Sequence, residues 1–245
     1  MRTLSGQEIL YIWGAGSGQH PIDRAMTVLA IACPELSPDE LLALSVGRRD
    51  AHLLATCERA YGSQLPCYAE CPQCKERLEF VLDVADLRVM HDVVPATQTQ
   101  QMICDGYELT YRLPNTTDLA AIASYSSVAL ARDTLVQRCV LQISQGGTDV
   151  APESLPEPVI AALAAQMLEQ DPQAEILLDM QCPGCEHRWS VMFDIVLYFW
   201  TELCGHAKRL MREVHTLAHA YGWSEADIVA MSAARRQFYI DMVAS

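Results

Sequence analysis

Two cysteine pairs carry the most specific chemistry in this chain. Cys71-Pro72-Gln73-Cys74-Lys75-Glu76-Arg77 recurs 111 residues later as Cys182-Pro183-Gly184-Cys185-Glu186-His187-Arg188. Asp83-Val84 follows the first segment at the same spacing as Asp194-Ile195 follows the second. A Cys-Pro-x-Cys turn presents two thiolates from a tight loop whose backbone N–H groups can stabilise sulfur charge. Two such knuckles supply Cys71, Cys74, Cys182 and Cys185, the four ligands of a closed tetrahedral zinc site. With every position filled by protein sulfur, no coordination site remains for a reactive water, so the pattern indicates one structural zinc rather than hydrolytic chemistry. A thioredoxin-like redox pair competes with this reading, but such pairs open a helix after a strand. Here each knuckle leads into an alternating, strand-like run, Leu78-Glu79-Phe80-Val81-Leu82 and Trp189-Ser190-Val191-Met192-Phe193. Plain core cysteines are the third reading. Cys67 and His187 lie close enough in sequence to replace a ligand. Cys33, Cys57, Cys104, Cys139 and Cys204 sit singly among apolar neighbours and read as small buried hydrophobes.

Other catalytic patterns fail on inspection. Gly14-Ala15-Gly16-Ser17-Gly18 has no Lys-Ser or Lys-Thr after it and no strand before it, so it is no phosphate-binding loop. His215 and His219 are four apart, but Thr216 stands where a zinc protease carries glutamate, and the pair reads as a helix face. No serine occupies a nucleophile elbow. The sequence therefore predicts a protein that is not an enzyme.

Composition narrows the partners. The chain has 245 residues, 51% hydrophobic and 20% charged, enough for one large core or two modest ones. Ten cysteines without a secretory leader fit a reducing cytoplasm. The most apolar stretch, Ile195 to Trp200, is far short of a membrane span. A net charge of −14 repels nucleic acid phosphates, so neither nucleic acid nor membrane is an expected partner.

The elements that must hold the knuckles follow from periodicity and caps. Leu36–Arg49 is echoed by Trp223–Arg236, each a serine with a carboxylate three residues on, then a short helix, a serine break and a second helix. The break serines, Ser45 and Ser232, should cap second helices whose first turns carry Arg48-Arg49 and Arg235-Arg236. These arginines fit a solvated face or internal ion pairs, with a partner-binding patch as the alternative. Helices are expected over Ser5–Trp13, Ile22–Ala32, Arg48–Tyr61, Asp118 to about Ile143, Val159–Glu169 and about Ile195–Tyr221. The Gly14–Gly18 segment reads as a flexible loop. Strands are expected over Gln64–Glu70, Leu78–Val84, Ala174–Met180 and Arg188–Phe193, with a hairpin around Asp105-Gly106.

The resulting expectation is an α+β fold, mainly helical, with a small split zinc ribbon at its centre. N-terminal helices (1–62) precede the first ribbon half (63–85). An inserted region with a hairpin and helices (86–173) leads to the second half (174–194) and the C-terminal helices (195–245). The two terminal helical groups should pack together.

The order of features resembles the T-even-type phage baseplate hub assembly chaperone family, also found in prophage and phage-tail-like contractile injection clusters. The resemblance rests on Ser45-x-x-Arg48-Arg49-Asp50, on Cys71-Pro72-x-Cys74 with Asp83-Val84-Ala85-Asp86-Leu87, and on Arg112-Leu113-Pro114. It continues through Cys182-Pro183-x-Cys185-x-His187-x-Trp189 and Phe193-Asp194-Ile195 to Ala220-Tyr221-Gly222-Trp223-Ser224-Glu225, Arg235-Arg236 and Tyr239. It spans nearly the whole chain. It implies a non-enzymatic factor acting on hub, spike or tape-measure proteins of a contractile tail in the bacterial cytoplasm, with incorporation into the virion or tail-like particle left open. A resident structural baseplate subunit and an unrelated cytosolic zinc-ribbon adaptor are the alternatives.

Overall fold

The computed structural model describes residues 2–89 and 99–244, so residues 90–98 of the expected inserted region lie outside the described residues. The first half contains helices α1 (Gly6–Gly16), α2 (Pro21–Ala32), α3 (Pro38–Ala43) and α4 (Val46–Tyr61), strands β1 (Gln64–Glu70) and β2 (Arg77–Asp83), and the one-turn α5 (Val84–Leu87). Then come β3 (Gln100–Cys104), β4 (Tyr107–Tyr111), α6 (Thr116–Ile122), α7 (Val128–Cys139), β5 (Val140–Gln145), β6 (Thr148–Asp149) and α8 (Glu157–Gln170). The chain closes with β7 (Leu177–Gln181), β8 (Arg188–Met192), α9 (Ile195–Tyr221), α10 (Glu225–Ala230) and α11 (Ala233–Ala244). The fold is α+β and mainly helical, as expected. It divides into two compact units, Met1–Glu35 with Ile195–Ser245, and Leu36–Asp194.

The first unit is built on α9. Its buried residues Ile195, Phe199, Leu203, Ala207, Leu210, Val214 and Leu217 recur every three or four positions, an apolar stripe that must be covered. Helices α1, α2, α10 and α11 cover it. Ser5 starts α1 with a full capping box, its Oγ accepting from the Glu8 N–H while the Glu8 carboxylate accepts from the Ser5 N–H at 2.8 Å. Contrary to the expected loop, α1 runs on through Gly14 and Ala15 to Gly16. Tertiary packing explains it: Gly16 is buried, and a Cβ there would stand 2.5 Å from the Trp200 ring. The same indole stacks under the Arg24 guanidinium at 4.4 Å, and Arg24 Nε donates to the Gly16 carbonyl at 2.8 Å.

Among its described residues the second unit holds three antiparallel sheets: the hairpins β1-β2 and β7-β8, and a four-stranded sheet in the order β3-β4-β5-β6. Two of its turns are two-residue loops with positive φ at both positions, Asp105-Gly106 (49° and 79°) and Gly146-Gly147 (58° and 81°), the conformation that matches strand twist. The expected long helix from Asp118 to about Ile143 is corrected to α6, a break recapped by Ser127, α7, and then strand β5. The β5 stretch pairs with β4 and seats Val140 and Ile143 in a core with Leu109, Tyr111, Val159 and Leu163, which outweighs its helix-compatible spacing.

The expected packing of terminal helices holds for α1 and α2, which meet α9. Helices α3 and α4 belong to the second unit instead. The α4 N-terminus is fixed there, with Val46 N–H donating to the Pro114 carbonyl at 3.1 Å and Gly47 N–H to the Asp171 carboxylate at 2.8 Å.

Candidate metal centre

Both knuckles fold by the same local rules. In the first, Cys71 N–H donates to the Glu76 carbonyl at 2.9 Å and Lys75 N–H to the Cys71 carbonyl at 3.0 Å. In the second, Cys182 N–H donates to the His187 carbonyl and Glu186 N–H to the Cys182 carbonyl, both at 2.9 Å. Lys75 and Glu186, each the residue after the second cysteine, take left-handed conformations with φ of 65° and 59°. The short hairpins β1-β2 and β7-β8, in register from Glu70↔Arg77 and Gln181↔Arg188 outward, hold each turn at a strand end.

The two turns converge. Cys71 Sγ lies 3.6 Å from Cys185 Sγ and Cys74 Sγ lies 3.4 Å from Cys182 Sγ, while all four sulfurs fall within 4.8 Å of one another. Four thiolates around zinc at a Zn–S length of about 2.3 Å define a tetrahedron with edges of about 3.8 Å. The observed separations fit that size, and they exceed any disulfide bond; none of the ten cysteines is in a disulfide. The four residues can therefore hold a metal ion, and the all-sulfur donor set suits zinc.

Electrostatics divide the four thiols, with Cys71 lowered and Cys74, Cys182 and Cys185 raised. Cys71 and Cys182 are fully buried, Cys185 is half-buried and Cys74 is exposed. Burial pushes the Cys71 thiol up, but backbone N–H groups of Cys74 and Gln73 aimed at its sulfur outweigh it and bring the pKa down to about 7. Burial dominates at Cys182, whose thiol is raised despite N–H groups from Cys185 and Gly184. The halves also touch: Cys182 Sγ lies 3.5 Å from the Glu76 carboxylate of the first, and a Cβ at Gly184 would make that exposed carboxylate swing aside. Cys67 sits in β1 opposite Phe80, and His187 stacks on Trp189 at 5.9 Å. Neither belongs to the sulfur cluster.

The arginine pairs divide. Arg48 is half-buried and Arg235 is exposed, its guanidinium 5.7 Å from the Tyr239 ring. Arg49 and Arg236 are buried, which corrects their reading as members of a partner-facing patch. Arg49 Nε pairs with Asp50 at 2.8 Å. Arg236 Nε pairs with Glu213 at 2.7 Å, and its Nη1 donates to the Met231 carbonyl. Burial pushes the Asp50 carboxyl up to about 6 even against the Arg49 charge.

Two polar centres escaped sequence reasoning. Asp118 is fully buried and holds Arg112 (2.9 Å) and Arg138 (2.8 Å) while accepting from the Asn115 N–H at 3.0 Å. Burial opposes its charge, but the guanidiniums prevail and keep its pKa low. Asp171, also buried, caps α4 from far along the chain at Gly47, where a Cβ would meet its carboxylate. The only forewarning of the first was Arg112-Leu113-Pro114 ahead of an Asn-x-x-Asp cap; nothing local announced the second.

A family model described as T4 bacteriophage base plate protein matches residues 3–200. No curated protein and no solved structure matches the chain. Among the described residues, no helix is long and apolar enough to cross a membrane.

Proposed function

Because the chain belongs to the T4 bacteriophage base plate protein family, we propose that it is a non-enzymatic assembly chaperone or adaptor for the hub of a contractile tail or tail-like particle. It engages a hub, spike or tape-measure component in the bacterial cytoplasm before the baseplate closes. The observation that carries this reading is the family match over residues 3–200. The convergence of Cys71, Cys74, Cys182 and Cys185 supports a structural zinc, because a shell of four thiolates has no vacancy for substrate. When bound, zinc supplies a rigid cross-link between the β1-β2 and β7-β8 hairpins. Around it, Glu76 and Gly184 fit one knuckle against the other.

Deleting the gene should stop tails at an early baseplate stage, with hub and spike proteins accumulating unassembled, and expression in trans should restore particles. Fully contractile particles from the deletion strain would overturn the assembly role. The family description also favours a second reading, a resident baseplate subunit. Quantitative mass spectrometry of purified particles against lysate separates the two: near-stoichiometric presence in particles identifies the subunit, and presence only in lysate complexes identifies the chaperone.

A further inference from the structure

The chain's charge is unevenly divided. Residues 1–35 with 195–245 carry 7 Lys and Arg against 8 Asp and Glu, a net of −1. Residues 36–194 carry 10 against 23, a net of −13, so almost the whole −14 belongs to the second unit. The near-neutral unit is itself patterned. Along α9, Lys208, Arg212, His215 and His219 are spaced by four, three and four residues and are all exposed. At 100° per residue they form one solvent-facing row about 16 Å long. Arg209 is exposed at its edge, and Met211 (37% exposed) lies beside it.

No acid interrupts this row. Glu202 and Glu213 are the acids of α9, both off the row, and Glu213 is committed to Arg236. Glu8 is paired with Arg2 and Glu213 with Arg236, and among the described residues Lys208, Arg209 and Arg212 form no ion pair. Lys208 and Arg212, with Arg209 beside them, are unneutralised cations on a strongly acidic protein, and such a cluster repels basic surfaces and attracts acidic ones. Of the two units, residues 36–194 carry nearly all of the net negative charge.

We propose that the Lys208–Arg212–His215–His219 face of α9 docks on the acidic surface of residues 36–194 in a second copy of the chain. Such a contact is head-to-tail, using two different surfaces, so each copy keeps one of each free for a further neighbour. It rests on charge segregation alone and stands apart from the metal and from the assembly role.

The test is sedimentation velocity on the zinc-loaded full chain. At about 20 mM salt the Debye length is about 20 Å and at about 500 mM about 4 Å, so association should be present at the first and lost at the second. Lys208→Glu/Arg212→Glu should stay monomeric at both with an unchanged thermal melt, because the replaced side chains are exposed. Lys208→Gln/Arg212→Gln should show the same loss in weaker form. Mixed with wild type, the glutamate variant should re-enter complexes through its intact acidic surface. A wild type that stays monomeric at low salt overturns the proposal, as does a variant that associates undiminished. Binding of a labelled DNA duplex by wild type and its loss in the glutamate variant would also overturn it, assigning the row to nucleic acid.

Discussion

The two internal echoes of this chain have had different fates. The knuckles at Cys71–Arg77 and Cys182–Arg188 lie in one compact unit, share the same hydrogen bonds and the same left-handed residue, and complete a single four-sulfur cluster. The helix–serine–helix segments Leu36–Arg49 and Trp223–Arg236 lie in different units. They keep their caps, with Ser45 Oγ accepting from Arg48 N–H and Ser232 Oγ from Arg235 N–H, and both bury the second arginine. The counter-ions of those buried arginines differ. Arg236 has Glu213 and a carbonyl, whereas Arg49 has its neighbour Asp50 and a buried Nη1 without a partner. A repeat that must complete a metal tetrahedron is constrained at each ligand, while a repeat that only scaffolds can exchange the partner of a buried charge.

The largest expected effect tests the shared nature of the cluster. Cys74→Ser and Cys185→Ser should lose zinc equally, since each knuckle contributes half the ligands. Ligand binding by structural zinc in small peptides is worth on the order of 10 kcal/mol, so either change should lower the melting temperature of the second unit markedly. Chelator should do the same to the wild type. Elemental analysis of the reduced protein reads the outcome. Zinc retained by one variant and not the other would show that the halves are not equivalent, and zinc absent from the wild type with a chelator-insensitive melt would remove the metal.

The next effect is on the buried arginines. Removing one partner of a buried ion pair costs about 3–5 kcal/mol, less where water still reaches the other partner. Glu213 keeps 29% of its side chain exposed, so Arg236→Met should cost about 1–3 kcal/mol by denaturant unfolding. Arg49→Met should cost more, because it strands Asp50, whose side chain is only 14% exposed, even though it also removes an unsatisfied buried nitrogen. The reverse ranking would mean that the two copies are held together by something other than the charge each arginine meets.

What was legible in the sequence follows the same division. Cys-Pro-x-Cys turns and the serine caps at Ser37, Ser45, Ser224 and Ser232 are local devices, set by residues within four positions of one another, and these were legible, whereas the Ser127 cap was not. The break of the expected 118–143 helix was not, because Val140 and Ile143 are spaced for either helix or strand, and only the neighbouring strand β4 decides. Gly14–Gly16 read as a loop because the indole of Trp200, which requires a small residue in a helix, is remote in sequence. The arginine pairs looked alike on paper. Which guanidinium is buried depends on helices packed from elsewhere, and so does the Asp171 cap on α4, 124 residues away.

A smaller effect is pH-dependent and confined to the first helix segment. The residue after Arg49 is Asp50, and the residue after Arg236 is Gln237, which does not titrate. Burial raises the folded-state pKa of Asp50 from 3.8 to about 6. The native chain therefore binds more protons than the unfolded one between those values, and stability should fall as pH rises from about 4 to 6, by on the order of 2 kcal/mol. Asp50→Asn should flatten this part of the profile, and denaturant midpoints taken across that range would reveal it. An unchanged slope in the variant would place the titrating group elsewhere.

The smallest effect lies in the caps the two segments share. Ser37 begins α3 with a reciprocal box: its Oγ accepts from Glu40 N–H at 3.3 Å, and the Glu40 carboxylate accepts from Ser37 N–H at 2.8 Å. Ser224 begins α10 with the forward half alone, its Oγ accepting from Asp227 N–H at 3.2 Å and donating to the Asp227 carboxylate at 2.6 Å. Replacing such a cap with alanine costs about 1 kcal/mol. Ser37→Ala should keep the return bond from Ser37 N–H to Glu40, because that bond uses backbone. Ser224→Ala has no such return bond, and α10 places Ile228 and Val229 in the core against α9, so fraying there also loosens apolar contacts. Ser224→Ala should therefore be the costlier of the two by a few tenths of a kcal/mol, with zinc content unchanged in both. Hydrogen exchange on the amides of Asp227 and Ile228 against those of Glu40 and Leu41 resolves so small a difference, and faster exchange in the first segment would show that the carboxylate's reach is worth more than the core it anchors.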